Sequence, residues 1–379
     1  MRQQYITAVK IDRVDLRLLR LPLAFFFETS FGRSHDRTFI LVTLHGDGAE
    51  GWGECVAEAG PFYSPETTET AWHVITAFVV PRVIGVPFAH PREILPSLSM
   101  LRGHPMAKAA IEMAAWDLHA RQEGVPLSRA LGGTRARIES GVSIGIQDSL
   151  DDLLRKVDTE LAAGYRRIKI KIKPGWDVDA VRAVRRRFGE VPLMADANAA
   201  YTLADADHLR RLDEFGLMMI EQPLGYDDLF DHARLQRAIA TPICLDESIH
   251  DAKTAADAIE LGACRIVNVK PGRVGGHGES IRLHDTCASR QVPVWHGGML
   301  ESGIGRAHNI HLASLPNFSL PGDIAASRRY YVPDLIEPGI DVTPDGTIPV
   351  PRDAGIGVHI DVARVEAATL RRMSLGAGA

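Results

Sequence analysis

Ile168-Lys169-Ile170-Lys171-Ile172-Lys173 alternates isoleucine with lysine through six residues. In a strand successive side chains leave on opposite faces, so one face is apolar and the other cationic. At a sheet edge the cationic face would sit in water and discourage strand pairing. Inside a barrel the isoleucines would meet surrounding helices and Lys169 and Lys171 would turn inward, which costs stability unless the amines are used. The residues that follow favour the barrel. Lys171, Asp196, Glu221, Asp246 and Lys270 recur at intervals of 25, 25, 25 and 24 residues. That is the length of one strand plus one helix, so repeating βα units would carry each group to the same end of successive strands.

Working outward, short apolar runs at 138–146, 167–173, 191–198, 217–222, 243–247, 265–270, 292–296 and 318–323 follow Gly132-Gly133. Helical patterns at 150–163, 178–188, 203–215 and 254–261 lie between them, commonly preceded by an Asp, Ser or Thr able to cap. Strands alternating with helices in this way predict a parallel barrel. Ahead of it, residues 9–19 alternate, and 38–44 lead through His45-Gly46-Asp47-Gly48 into Gly51-Trp52-Gly53-Glu54-Cys55, a hairpin signal. Phe25-Phe26-Phe27-Glu28-Thr29-Ser30-Phe31-Gly32 reads as an aromatic loop, either buried or a lid. Residues 65–132 read as helices. The clearest spans 106–122, where Ala110, Met113, Ala114, Asp117 and Leu118 stand three and four apart and Gly124 supplies the stop. Beyond Asp323 the rhythm is lost to Pro and Gly, and the chain is expected to fold back on the first module, with 375–379 frayed. The expected organisation is a capping α+β domain at 1–134, a barrel at 135–325 and a returning segment at 326–379.

The composition agrees with such an architecture. The 379 residues, 45% hydrophobic and 24% charged, suffice to hide a site from water. A net charge of -5 and scattered arginines provide no basic field for nucleic acid. Cys55, Cys244, Cys264 and Cys287 lack C-x-x-C spacing and read as reduced thiols. No long apolar run or leader-like start is present, so no membrane association is expected and the protein reads as soluble and cytoplasmic.

The chemistry lies in the evenly spaced set. Asp196, Glu221 and Asp246 each directly follow an apolar run, in Met194-Ala195-Asp196, Met219-Ile220-Glu221 and Cys244-Leu245-Asp246. A lone aspartate there is often a helix cap. Three in register would repel one another without a cation, and oxygen-only ligation selects a hard ion, most simply Mg²⁺, with Mn²⁺ or Co²⁺ as alternatives. Lys270 closes the set four strands after Lys171, so two amines can flank a bound substrate. Such a site suits proton removal from a carbon beside a carboxylate, the ion stabilising the enediolate and a lysine acting as base. One lysine permits elimination; two permit inversion.

Rival readings fare less well. Gly141-Val142-Ser143-Ile144-Gly145 matches the nucleophile elbow G-x-S-x-G of serine hydrolases, but Ile144 and Ile146 continue the strand where an elbow must turn. His308 and His311 find no strand-end carboxylate to join and read as helix packing. A barrel serving only as a binding scaffold leaves costly inward charges without a use.

The segments Lys169-Ile170-Lys171, Asp196-Ala197-Asn198, Glu221-Gln222-Pro223, Asp246-Glu247-Ser248 and Lys270-Pro271-Gly272-Arg273-Val274-Gly275-Gly276 together resemble the enolase superfamily, muconate-lactonizing-enzyme subgroup, over nearly the whole chain. Within it, Gly297-Gly298-Met299-Leu300-Glu301-Ser302-Gly303-Ile304-Gly305-Arg306-Ala307-His308-Asn309 and Leu320-Pro321-Gly322-Asp323-Ile324 resemble the o-succinylbenzoate synthase / N-acylamino acid racemase family. The resemblance implies an α/β fold, a (β/α)7β TIM-like barrel with an α+β capping domain built from the N-terminal third and the C-terminal tail, whose loop around Phe25 closes over the substrate. It implies Mg²⁺ on Asp196, Glu221 and Asp246, with Lys171 and Lys270 as the acid/base pair. It further implies Lys169 and Asn198 at the substrate carboxylate, and Ser143, Gly298, Met299 and Leu300 along the acyl or succinyl end. Arg273, three residues after the second lysine, is similar to members with racemase activity, whereas dedicated synthases tend to lack it. The implied enzyme racemises N-acyl or N-succinyl amino acids and also dehydrates a precursor to o-succinylbenzoate, an isomerase with lyase activity. A dedicated synthase of menaquinone synthesis, a dipeptide epimerase and a muconate cycloisomerase are the alternatives. A small-molecule substrate and a homo-oligomer built of dimers are implied as well. His296 departs from the family pattern, either narrowing the acyl pocket or capping a strand end.

Overall fold

In the computed structural model, which describes residues 8–376, the N-terminal third builds an antiparallel sheet and the middle of the chain a parallel barrel. The sheet runs in the order Thr369–Gly376, Arg13–Thr29, Gly32–Gly46, Ala49–Cys55. Gly46 pairs with Ala49, leaving Asp47 (φ 50°) and Gly48 (φ 76°) as a two-residue turn whose positive φ values match the twist of a hairpin. The C-terminal strand is paired along its length, with Leu375 on Val14 and Gly376 on Arg13. The expected fraying therefore does not begin at Leu375, and residues 377–379 lie outside the described residues.

The segment from Phe25 to Gly32 is not a loop. Arg13–Thr29 and Gly32–Gly46 form one long hairpin whose tip is Ser30-Phe31. Pairing is interrupted between Pro22 and Phe27, because proline offers no N–H to the ladder, and the register slips there. The tip reaches the barrel, where Ile146 N–H donates to Glu28 C=O at 3.0 Å.

The helix Pro105–Gln122 lies against this sheet, and nearly all of it is buried. Gly51 and Gly53 permit the approach: a Cβ at either position would stand 2.2 Å from a helix carbonyl oxygen, of Ala114 or Ala110. The sequence pattern underestimates this helix, since its other side meets the barrel. Buried Glu112 and Asp117 there accept backbone N–H groups, Glu112 from His277 and Gly278, Asp117 from Trp52 and Ile356.

The barrel sheet runs Val294–His296, Ile266–Val269, Ile243–Leu245, Ile220–Glu221, Leu193–Asp196, Arg167–Lys171, Gly141–Ile144, all parallel. Ile168, Ile170 and Ile172 pack outward with Leu153, Val157 and Val181 of the flanking helices, each burial contributing roughly 2 kcal/mol. Met194, Met219, Cys244 and Trp295 form a separate apolar cluster beneath the lysine face. Ser149 and Asp251 cap the helices Leu150–Ala162 and Ala252–Leu261.

Two expected strands differ. The run at 138–146 divides at Ser140: Arg137–Glu139 pairs antiparallel with Thr347–Pro349, and only Gly141–Ile144 enters the barrel. The run at 318–323 closes the barrel without becoming a regular strand. Phe318 and Gly322 make isolated parallel bridges to Val294 and Ser140, and Pro321, lacking an N–H, interrupts the ladder between them. Among the described residues no helix is long and apolar enough to cross a membrane, and all four cysteines are free and buried.

Candidate active site

Register sets the site. Lys171 pairs with Asp196 and Asp196 with Glu221 across adjacent strands, so three ionisable groups stand level at the strand ends. Glu221 is paired with Cys244 and Cys244 with Ile266, which places Asp246 and then Lys270 progressively higher on the inward face. Lys169, Lys171, Asp196, Glu221, Asp246 and Lys270 are all buried.

Each amine has carboxylate partners. Lys171 Nζ donates to Asp196 Oδ2 and Asn198 Oδ1, both at 2.6 Å. Lys270 Nζ donates to Asp246 Oδ2 at 2.6 Å and to the Tyr63 hydroxyl at 3.1 Å. Lys169 Nζ lies 2.8 Å from Glu221 Oε2, 3.0 Å from Asp196 Oδ2 and 2.5 Å from Asp323 Oδ2. Burial would raise the Asp196 carboxyl, but Lys171 and Lys169 outweigh it and hold it below the usual carboxylate range. Glu221 moves the other way. Burial, with the charges of Asp196 and Asp246 beside it, raises it well above its ordinary value. For Lys270 burial pulls downward, yet Asp246 prevails and the amine is held charged.

A cavity of about 80 Å³ opens above these groups, lined by Lys169, Lys171, Asn198, Lys270, Ser143 and the Gly298-Met299-Leu300 turn. Glycines make room for it. A Cβ at Gly297 would stand 2.5 Å from Lys270 Cε, and one at Gly298 2.8 Å from the Asp323 carbonyl oxygen. The Ser143 hydroxyl is buried, has no hydrogen-bond partner and sits within the strand Gly141–Ile144 rather than at a turn, which removes the hydrolase elbow.

Two expected binding residues are not brought to the cavity. Phe25 is 59% exposed with its ring under Lys156, because the register slip after Pro22 turns it outward; Phe27 and Phe31 line the cavity instead. Arg273 lies behind Lys270, buried, with its guanidinium on Asp246 Oδ1 and on the carbonyls of Ile249 and Asn268. A larger cavity of about 680 Å³, between cap and barrel, has Arg273, Tyr63 and Glu247 in its wall. His296 is buried with Nδ1 on the Gly297 carbonyl and lies outside the reaction cavity, and burial pushes it down to about 4. His308 and His311 bond to backbone and to His277 as packing residues.

Other partners escaped the sequence reading. Asn268 donates to Glu221 Oε1, and its position two residues before Lys270 on the same inward face was the signal for it. Asp323 ends an apolar run just as Asp196 does, which marks it by the same rule. Tyr63 had no signal, since it arrives from a cap segment far away in sequence and donates to Asp246 Oδ1 at 2.9 Å.

Known proteins match this arrangement along its length. Residues 13–132 match the mandelate racemase / muconate lactonizing enzyme N-terminal domain, and residues 152–365 the enolase C-terminal domain-like family. The chain is 56% identical over 360 residues to an o-succinylbenzoate synthase of Geobacillus kaustophilus, covering 95% of this chain and 96% of that one. It is 52% identical over 362 residues to an N-succinylamino acid racemase of Thermus thermophilus, covering 96% and 98%. A crystal structure of an enolase superfamily member from Listeria innocua superposes with a TM-score of 0.93 at 39% identity, over 97% of this chain and 99% of that one. With its barrel, its cap and its strand-end charges, the chain belongs to the enolase superfamily, in the family that holds the o-succinylbenzoate synthases and N-succinylamino acid racemases.

Proposed function

We propose that the chain racemises N-acyl amino acids, N-succinyl amino acids in particular, by proton transfer at the α-carbon, and that it also forms o-succinylbenzoate by dehydration. The observation that carries this is the pair Lys171 and Lys270, which line one cavity from the second and sixth barrel strands. Inversion needs a group on each side of the α-carbon, one removing a proton and the other delivering one; elimination needs a single base. Kinship to relatives named for each activity supports both halves.

A hard divalent cation, Mg²⁺ above all, fits the donor set. Among the described residues no three acidic, histidine or cysteine side chains already gather as a cage, since amines and amides hold the carboxylates. Yet Asp196 stands level with Glu221 on the adjacent strand, and its charge pushes the Glu221 carboxyl up; a cation between them would relieve the same repulsion. Asp196, Glu221 and Asp246 would hold it. Bound there, it supplies positive charge to the substrate carboxylate, where negative charge accumulates as the α-proton leaves.

The chain's own residues do the rest. Lys169 presents a cation for the substrate carboxylate, and Asn198, whose side chain joins Lys171 to Glu247, fixes the direction of Lys171. Ser143 offers a free hydroxyl and the Gly298-Met299-Leu300 turn a narrow wall for the acyl end. The hairpin tip, with Phe31 stacked against Phe62 at 6.4 Å, excludes water above them. Arg273 acts from behind Lys270 by sharing Asp246. Kinship to enzymes named for small-molecule reactions supports a small-molecule substrate, and the reading extends to a cytoplasmic homo-oligomer.

Side-by-side kcat/KM measurements with Mg²⁺, on N-succinyl amino acids and on the cyclohexadiene precursor of o-succinylbenzoate, test the proposal. Turnover of both is expected. A protein that dehydrates the precursor but leaves every N-acyl amino acid optically unchanged would be a dedicated synthase.

A further inference from the structure

Lys169 is surrounded by more negative charge than its own needs. Three carboxylates approach its Nζ within 3.0 Å, and the face of Trp295 lies 4.9 Å away. Two of the three, Asp196 and Glu221, belong to the set assigned above to a divalent cation. The third, Asp323, does not. It comes from the irregular segment that closes the barrel, and its other oxygen, Oδ1, accepts from Arg167 Nη1 at 2.6 Å. Arg167 is fully buried, also donates to the Pro321 carbonyl at 2.8 Å, and lies 5.1 Å from the Trp295 ring centroid. Room for its guanidinium depends on Gly141, where a Cβ would fall 2.4 Å from Arg167 Cζ. Arg167, Asp323 and Lys169 thus form a buried ionic chain whose last link touches the carboxylate set.

A cation on Asp196 and Glu221 and an ammonium on the same two carboxylates repel each other and compete for the same oxygens. Both can remain only if one of them has another anion. We propose that Asp323 is a positioning residue that gives the Lys169 ammonium an anion of its own, so that Asp196 and Glu221, which it also touches at 3.0 and 2.8 Å, can yield that contact to a divalent cation while Lys169 stays in place to meet a substrate carboxylate. Arg167 in turn keeps Asp323 ionised and aimed. The inference rests on the proposed cation set, and it gives the Leu320-Pro321-Gly322-Asp323-Ile324 segment a task that barrel closure alone does not supply.

Mn²⁺ titration of the full-length protein, followed by electron paramagnetic resonance of the free ion, tests it without any turnover. Asp323→Asn keeps the size of the side chain and removes its charge. It should weaken Mn²⁺ binding about tenfold, within the range of ordinary coupling between sites. Adding Lys169→Met to Asp323→Asn removes the competitor and should return the affinity to within about threefold of wild type. In steady-state assays at saturating metal, Asp323→Asn should raise KM for N-succinyl amino acids more than it lowers kcat. Unchanged Mn²⁺ affinity in Asp323→Asn overturns the positioning role, as does a double variant that binds no better than the single one, since the loss would then come from damaged barrel closure. If the wild-type protein itself binds no Mn²⁺, the proposed cation set falls first and the positioning role falls with it.

Discussion

Lys171 and Lys270 reach one cavity from the second and sixth barrel strands, and each donates to an aspartate at 2.6 Å, yet the remainder of their surroundings differs. Lys171 finds a neutral second partner in Asn198, a residue of the loop after the neighbouring strand. Lys270 shares Asp246 with Arg273 and with the Tyr63 hydroxyl, one from the short helix that follows its own strand and one from the cap. Strand spacing makes the two amines alike, and the segments laid over the strand ends make them unequal. A racemase needs the likeness to work in both directions, while the inequality gives each lysine its own set of hydrogen-bond partners.

The comparison breaks most sharply if one amine is removed. Lys171→Ala and Lys270→Ala should each reduce racemisation about 10⁴-fold, the upper range for general acid–base groups, as followed by chiral chromatography. Each variant should still exchange the α-proton of one enantiomer in deuterium oxide, a different enantiomer for each lysine. Exchange of both enantiomers by either variant would mean that the lysines do not face opposite sides of the substrate.

Chelation should strike both sides alike. Removing divalent ions with EDTA is expected to cost about a thousandfold in both racemase and synthase turnover, reversed by Mg²⁺, because charge stabilisation serves either lysine. A smaller change should separate them. Tyr63→Phe deletes a hydroxyl on the Lys270 side and should slow deuterium wash-in for one enantiomer about tenfold, the loss of one buried charge-assisted hydrogen bond, with the other enantiomer little affected. Asn198→Ala should show the opposite preference. Equal slowing of both enantiomers in both variants would erase the distinction.

Beneath Lys169, at Asp323, the last expected effect is on stability rather than turnover. Burial would raise this carboxyl, but Lys169 and Arg167 push it down to about 2 from 3.8. The folded state then binds the proton less readily than the unfolded chain, so the contribution is complete above pH ~4 and is lost as the pH falls through ~2. It amounts to about 2 kcal/mol. Denaturant melts of wild type and Asp323→Asn should therefore differ most near neutrality and converge toward pH ~2; a constant gap would assign the loss to packing instead of charge.

Much of the site could be read from the chain. The strand Arg167–Lys171 and the groups Asp196, Glu221, Asp246 and Lys270 obey two local rules, period-two alternation and the placement of polar residues at strand ends. Asn268 and Asp323 obey the same rules and were legible in principle. Phe25 was expected on a loop closing over the substrate, but the segment continues a hairpin strand, and the register slip between Pro22 and Phe27 turns Phe25 outward. The run at 138–146 looked like one strand because hydrophobicity does not reveal that Thr347–Pro349, two hundred residues on, would claim its first part.

Local periodicity alone therefore determined the barrel, its inward lysines and the ends of the strands on which the carboxylates stand, because covalent strand geometry fixes the face of every second residue. Tertiary structure decided what each amine meets. Tyr63 on Lys270, Arg273 behind it and Arg167-Asp323 beneath Lys169 are contacts between segments remote in sequence, and only the docking of the cap and the closing of the barrel bring them together.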